Sequence, residues 1–180
     1  LRNGFDLTVL DLDNSLVNQF IDRGASSSIS PREMAELCDV VITCLPSPKA
    51  CSEVMESEDG VIAGLKEGKI WLEMSTTDEA EIRRIGTIVE STGALPIDCP
   101  VSGGCHRADT GNISIFAGCK REAFDKALPI LTTMGRRVLH TGDLGTASTL
   151  KVMTNYLATV NLVSISEALT TMKVLGMDMN

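Results

Sequence analysis

Residues 30–46, "SPREMAELCDVVITCLP", place two secondary-structure signals back to back. Ser30 stands where a helix cap is needed, Pro31 fills the first helical position and Glu33 follows three residues on, which is a capping box. The run "DVVITCLP" is then nearly continuous in apolar residues until Pro46 stops it. A strand that is apolar on both faces is covered on both faces, as in a parallel sheet between helical layers.

The same reading extends outward. "FDLTVLDLD" (5–13) is a strand ending in acid, after Gly4, which is placed to close a helix begun upstream. "KIWLEM" (69–74) is another two-faced strand, and "TTDEAEIRRIGTIVESTG" (76–93) a helix capped by Thr77 or Asp78 and ended at Gly93. "ALPIDCP", "NISIFAG" and "RRVLHTG" are further strands. "KREAFDKALPILTTMG" is a helix, with Pro129 expected to bend it. Strand and helix alternate from Gly4 to about Gly142, which predicts an α/β fold with a mainly parallel sheet and helices on both faces. From Gly145 the pattern becomes one long helix to about Gly176. The predicted domains are therefore 1–143 and 144–180.

The 180 residues are 43% hydrophobic and only 3% aromatic, so the core is aliphatic. A net charge of −8 argues against nucleic-acid binding. The cysteines (Cys38, Cys44, Cys51, Cys99, Cys105 and Cys119) form no CxxC pair and follow no zinc spacing, which predicts reduced thiols, a cytoplasmic location and no metal. There is no signal peptide and no bilayer-length apolar run, so no membrane partner is expected. The first residue is Leu1 and the last, Asn180, directly follows an apolar-rich helix, so both ends read as cut.

Ligands of open parallel sheets sit at the carboxyl ends of the strands. Asp11 at the first strand end is either a turn acid or the acid that binds ribose hydroxyls in a dinucleotide fold. With ten residues before it, the second role places a glycine-rich phosphate loop and a first strand upstream of residue 1. Pro46 fixes the second strand end. At the third, Ser75 and Thr76 are helix caps or ligand hydroxyls.

Two further stretches bear on chemistry. In "DCPVSGGCHRADTGNI", Pro100 stops a strand, and Ser102, Gly103 and Gly104 put bare backbone N–H groups beside a hydroxyl. Such a turn is either flexible or a carboxylate cradle. With only two histidines in the chain, Cys105 and His106 are not read as a nucleophile or metal site. In "TLKVMTN" (149–155), Lys151 and Asn155 lie four apart and so share a helix face. Periodicity alone makes that face a solvated stripe, opposite a core-like face of Leu150, Met153, Leu157, Val160, Ile165, Ala168 and Met172. The small residues "GTAS" just before Lys151 point the other way, because they let the helix start approach its neighbour closely.

Taken in order, "LTVLDLD", "CDVVITCLP", "EMSTT", "DCPVSGG", "ADTGNISIFAG", "MGRRVLHTGDLGTAS", "LKVMTN" and "SEAL" resemble the β-hydroxyacid dehydrogenase family over nearly the whole chain. The resemblance implies a Rossmann-type doubly wound sheet for NAD(P), followed by the start of an all-helical domain, in an enzyme that is a homo-oligomer at full length. It implies hydride transfer between NAD(P) and a small 3-hydroxy acid. Lys151 is then catalytic, and Ser102, Gly103, Gly104 and Asn155 bind substrate. Asp11, Leu45, Pro46 and Thr76 bind the dinucleotide, with NAD favoured over NADP because Leu12 follows Asp11. A lysine must be desolvated, or set beside positive charge, to act as a base near neutral pH. The chain departs from the family at Glu79, Ala147 and Cys105-His106-Arg107, and it lacks the glycine loop, so weak NAD binding is expected of these residues alone. Rival readings are a non-catalytic dinucleotide-binding or interaction module, an inactive fragment, an imine-reducing relative, or a 6-phosphogluconate dehydrogenase, which follows its lysine with a His-Asn pair where Thr154-Asn155 stand here.

Overall fold

The structure, a computed structural model, describes residues 1–179. The chain begins with β1 (Thr8–Val9), α1 (Asn14–Ile21) and β2 (Ser26–Ser27), then α2 (Pro31–Leu37) and β3 (Val40–Thr43). Ser30 caps α2 as read, its hydroxyl accepting from the Glu33 N–H. The Glu33 carboxylate, however, reaches one residue past the cap and accepts from the Ile29 N–H, while the Ser30 N–H donates to the Ser28 hydroxyl. Next come α3 (Pro48–Glu56), α4 (Val61–Gly64), β4 (Ile70–Glu73), α5 (Glu79–Ser91) and β5 (Leu95–Asp98). Asp78 caps α5, accepting from the Ala80 and Glu81 N–H groups. The chain closes with β6 (Val101–Ser102), α6 (Cys105–Ala108), β7 (Ile113–Gly118), α7 (Arg121–Met134), β8 (Gly135–Gly142) and α8 (Thr146–Val174).

The main sheet runs β3-β4-β5-β7-β6, with β8 on the other side of β7. β3, β4 and β5 are parallel, with Thr43, Glu73 and Asp98 level at their carboxyl ends. All four residues of β4 are buried, as its unbroken apolar pattern requires. Trp71 packs on one face with Val41, Met55, Ile82 and Val89. Leu72 packs on the other with Ile97, Ile115, Ala127 and Leu131. Loss of the fully buried Trp71 ring would cost about 3–5 kcal/mol.

Two expectations need correction. The first predicted strand shrinks to Thr8–Val9 and pairs only with β2, in a separate two-stranded sheet. The main sheet is mainly parallel, as expected, although β7 runs antiparallel to β5 and β6. Residues 103–112 hold only the one-turn α6, too short a link for a parallel crossover, so the chain has to turn back. Finally, the core-like face of α8 is not core: Met153, Leu157, Val160 and Ile165 are exposed, as are Val152, Leu162 and Val163 around the helix. Beyond its first turns α8 leaves the sheet. Pro129 lies inside α7 without ending it.

Candidate active site

The start of α8 is fixed by the sheet. Gly145 takes φ 90°, a left-handed conformation suited to glycine, and turns the chain into the helix. One turn on, Ser148 donates its N–H and its hydroxyl to the two carboxylate oxygens of Asp98, both at 2.7 Å. Asp98 and Ser148 are buried. The "GTAS" residues do bring the helix close: a Cβ on Gly118 of β7 would fall 3.0 Å from the Ala147 N and 2.9 Å from the Asp143 O. Ala147 is fully buried at that contact. The anchored first turn projects Lys151 from its C-terminal side. Lys151 is half-buried, and desolvation pushes its amine below the ordinary lysine value. Asn155 lies one turn further, exposed, with no hydrogen bond to Lys151 among the described residues.

From the same strand end, β5 continues through Cys99-Pro100 into β6 and the glycine turn. Gly103 and Gly104 take φ 138° and 82°, conformations that residues with a Cβ rarely adopt. Ser102 and Gly103 are half-buried, and Gly104 is exposed. The N–H groups of Gly103, Gly104 and Cys105 donate to no partner among the described residues. Three consecutive free donors suit a carboxylate.

The dinucleotide candidates sit at the ends of β1, β3 and β4. Asp11 is exposed, and one of its carboxylate oxygens accepts the Asp13 N–H at 2.9 Å, so it does hold a turn. Pro46 and Thr76 are exposed and Leu45 is half-buried. Ser75 faces inward rather than toward a ligand: its hydroxyl accepts the Leu45 N–H at 2.8 Å. Beneath it lies a group that sequence reasoning passed over. Buried Glu73 accepts from the Thr43 hydroxyl and the Ser75 N–H, both at 2.7 Å, while Thr43 in turn accepts the Trp71 indole N–H. One carboxylate thus joins the β3 and β4 ends. Thr77, next to Thr76, has a buried hydroxyl without a partner among the described residues.

Comparison with known proteins identifies the family. The family described as the NAD binding domain of 6-phosphogluconate dehydrogenase matches residues 1–142. A probable mitochondrial 3-hydroxyisobutyrate dehydrogenase of Dictyostelium discoideum is 32% identical over 178 residues, 99% of this chain and 56% of that protein. The chain belongs to the β-hydroxyacid dehydrogenase family. Another member, the NAD-dependent L-serine dehydrogenase of Pseudomonas aeruginosa, is 34% identical over 94% of this chain and 57% of its own. A solved structure of Mycobacterium tuberculosis 3-hydroxyisobutyrate dehydrogenase with L-serine has a TM-score of 0.92 at 26% identity, covering 98% of this chain and 60% of that one. An imine reductase of Myxococcus stipitatus in complex with NAD+ shares the fold alone, with a TM-score of 0.90 at 17% identity. This family member spans about half the length of the curated relatives it matches.

Proposed function

We propose that the chain is the cofactor-binding part and catalytic helix start of an NAD-dependent oxidoreductase acting on small 3-hydroxy acids. The carrying observation is the junction at Asp98: the strand that leads to the glycine turn also anchors the helix that presents the desolvated Lys151. The named activities of the relatives, which include 3-hydroxyisobutyrate and L-serine dehydrogenases, support this class.

The cofactor-side residues suit a dinucleotide. Asp11 offers a free carboxylate oxygen for ribose hydroxyls, and its charge would repel a 2′-phosphate, which favours NAD over NADP. Leu45 and Pro46 offer apolar contact. The exposed Thr76 and the unpartnered Thr77 hydroxyl leave hydrogen-bonding capacity at the end of β4. When bound, NAD accepts the hydride.

The chain's own residues do the rest. The N–H groups of Gly103, Gly104 and Cys105, with the Ser102 hydroxyl, hold the substrate carboxylate. Lys151 Nζ in its neutral form takes the proton of the substrate hydroxyl as the C–H bond gives up its hydride, and in reduction the ammonium returns it. Asn155, on the same helix face, orients the substrate. Domain limits of 1–143 and 144–180, a homo-oligomeric assembly and a cytoplasmic location belong to the same proposal. Six unpaired thiols support the last.

The test is turnover of 3-hydroxyisobutyrate and related 3-hydroxy acids with NAD by the longest open reading frame containing these residues. Lys151→Ala should lower kcat by about 10²–10⁴-fold. Undiminished turnover would sink the assignment.

A further inference from the structure

Arg32, Arg83, Arg84 and Arg121 each pair with a carboxylate. Arg107, Arg136 and Arg137 pair with none among the described residues, and all three line one cavity of about 560 Å³. His106, Asn112 and Ser114 share its wall. In a chain with 24 acidic against 16 basic residues, unneutralised arginines gathered in one place repel one another with no internal compensation. By contrast, the depression of about 450 Å³ beside α5 and α7 is lined by Arg83 and Lys120, which pair with Glu79 and Glu90.

The backbone gathers these charges. Ile113 pairs with Gly135 and Ser114 with Arg137, so Arg136 is the extra residue of a β-bulge. Regular alternation would send consecutive side chains to opposite faces; the bulge lets both arginines reach the cavity. Ser114 also pairs in register with Ser102, and register partners share a face. Ser102, Ser114 and Arg137 therefore form a row across β6, β7 and β8. That face carries Gly118 too, against which the first turn of α8 packs. At the other end, a Cβ on Gly103 would fall 2.9 Å from Arg107 Cδ. The cavity thus adjoins the glycine turn, through Arg107 beside Gly103 and Ser114 beside Ser102.

We propose that this cavity receives a second anionic group of the substrate. The substrate class is then a 3-hydroxy acid bearing a further carboxylate or a phosphate, held by Arg107 and Arg137 through charge-assisted hydrogen bonds. This rests on the glycine turn as the seat of the first carboxylate. The sequence motif could not reveal it, because Arg136 and Arg137 lie on another strand from the turn.

Two measurements test it separately from the hydride-transfer reading. The first is calorimetric titration of the protein with succinate and with inorganic phosphate, beside acetate, for wild type and Arg107→Gln/Arg137→Gln. Both positions are exposed, so the variant should fold with an unchanged Tm. Succinate or phosphate should bind the wild type and bind the variant about tenfold or more weakly, with the tighter of the two naming the anion's source. Equal binding by both proteins, or by neither, overturns the proposal. The second is steady-state kinetics with 3-hydroxyisobutyrate and 2-(hydroxymethyl)succinate. The double substitution should raise KM about tenfold or more for the diacid and leave the monoacid unchanged; equal effects on both overturn it. A Lys151→Ala variant with full turnover would remove the hydride-transfer reading while the titration still decides the anion site.

Discussion

Asp98 and Ser148 join the sheet to the start of α8. Fifty residues apart in sequence, they meet through two 2.7 Å hydrogen bonds that use both carboxylate oxygens and both donors of the serine. Everything beyond Ser148 inherits its direction from this pair, because α8 buries little after its first turn. Asp98 therefore bears on the proposed reaction only through the position it gives Lys151.

The pair should show strong non-additivity. Asp98→Ala leaves the Ser148 N–H and hydroxyl buried without an acceptor, at a cost of about 2–4 kcal/mol, and Ser148→Ala costs about 1–2 kcal/mol. Urea unfolding of the double variant should give a coupling of at least about 1 kcal/mol. Simple addition would show that the contact does not bear on stability.

The same carboxylate makes a pH prediction. Burial pushes Asp98 above the ordinary carboxylate range, with the Ser148 hydrogen bonds pulling the other way. The folded state thus holds the Asp98 proton more tightly than the unfolded state. Its contribution is fully present below the unfolded pKa and is lost as pH rises through the raised folded value. The stability of wild type relative to Asp98→Asn, which does not titrate, should fall in denaturant titrations as pH rises from the ordinary carboxylate range through the raised folded value. A flat difference would mean that burial does not control this group.

Legibility in the sequence tracked how local each cause was. The α2 cap and the two-faced strands β3 and β4 depend on neighbours within a few residues, and they appear where expected. Ser47-Pro48 repeats the same start signal for α3, yet Pro46 beside it reads only as a stop. Glu73 and Asp98 are charged residues in strands, and nothing local shows that their partners lie 30 and 50 residues away. The antiparallel return of β7 follows from the length of one loop, which strand patterning does not weigh. On α8 the apolar periodicity was real, but burial depends on a packing partner that periodicity cannot supply.

Lys151 sets the pH dependence of the proposed reaction. Desolvation lowers its pKa, so the neutral amine that accepts a proton is reached at lower pH than for a free lysine. Oxidation measured as kcat/KM should rise with pH to a plateau whose midpoint lies below the ordinary lysine value, and reduction should fall over the same range. Lys151→Arg keeps the charge but cannot deprotonate, so it should lose the oxidative limb at every pH. An unchanged profile in that variant would give the proton to another group.

Gly118 tests whether the closeness of α8 to the sheet matters for chemistry as well as for packing. An added methyl would press on the Asp143 O at 2.9 Å and on the Ala147 N and Thr146 Oγ1 at 3.0 Å, so the helix start must move away from β7. Gly118→Ala should cost about 1–3 kcal/mol in denaturant unfolding. Because the shift passes to Lys151 one turn later, kcat should fall by about 10–100-fold with a smaller change in KM for NAD. Gly68→Ala is the matching control: its φ of 84° strains an alanine, but the added methyl meets open space. It should cost about 1–2 kcal/mol and leave kcat intact. Equal kinetics in the two variants would show that Lys151 tolerates displacement of its helix, and the Asp98–Ser148 anchor would then serve stability alone.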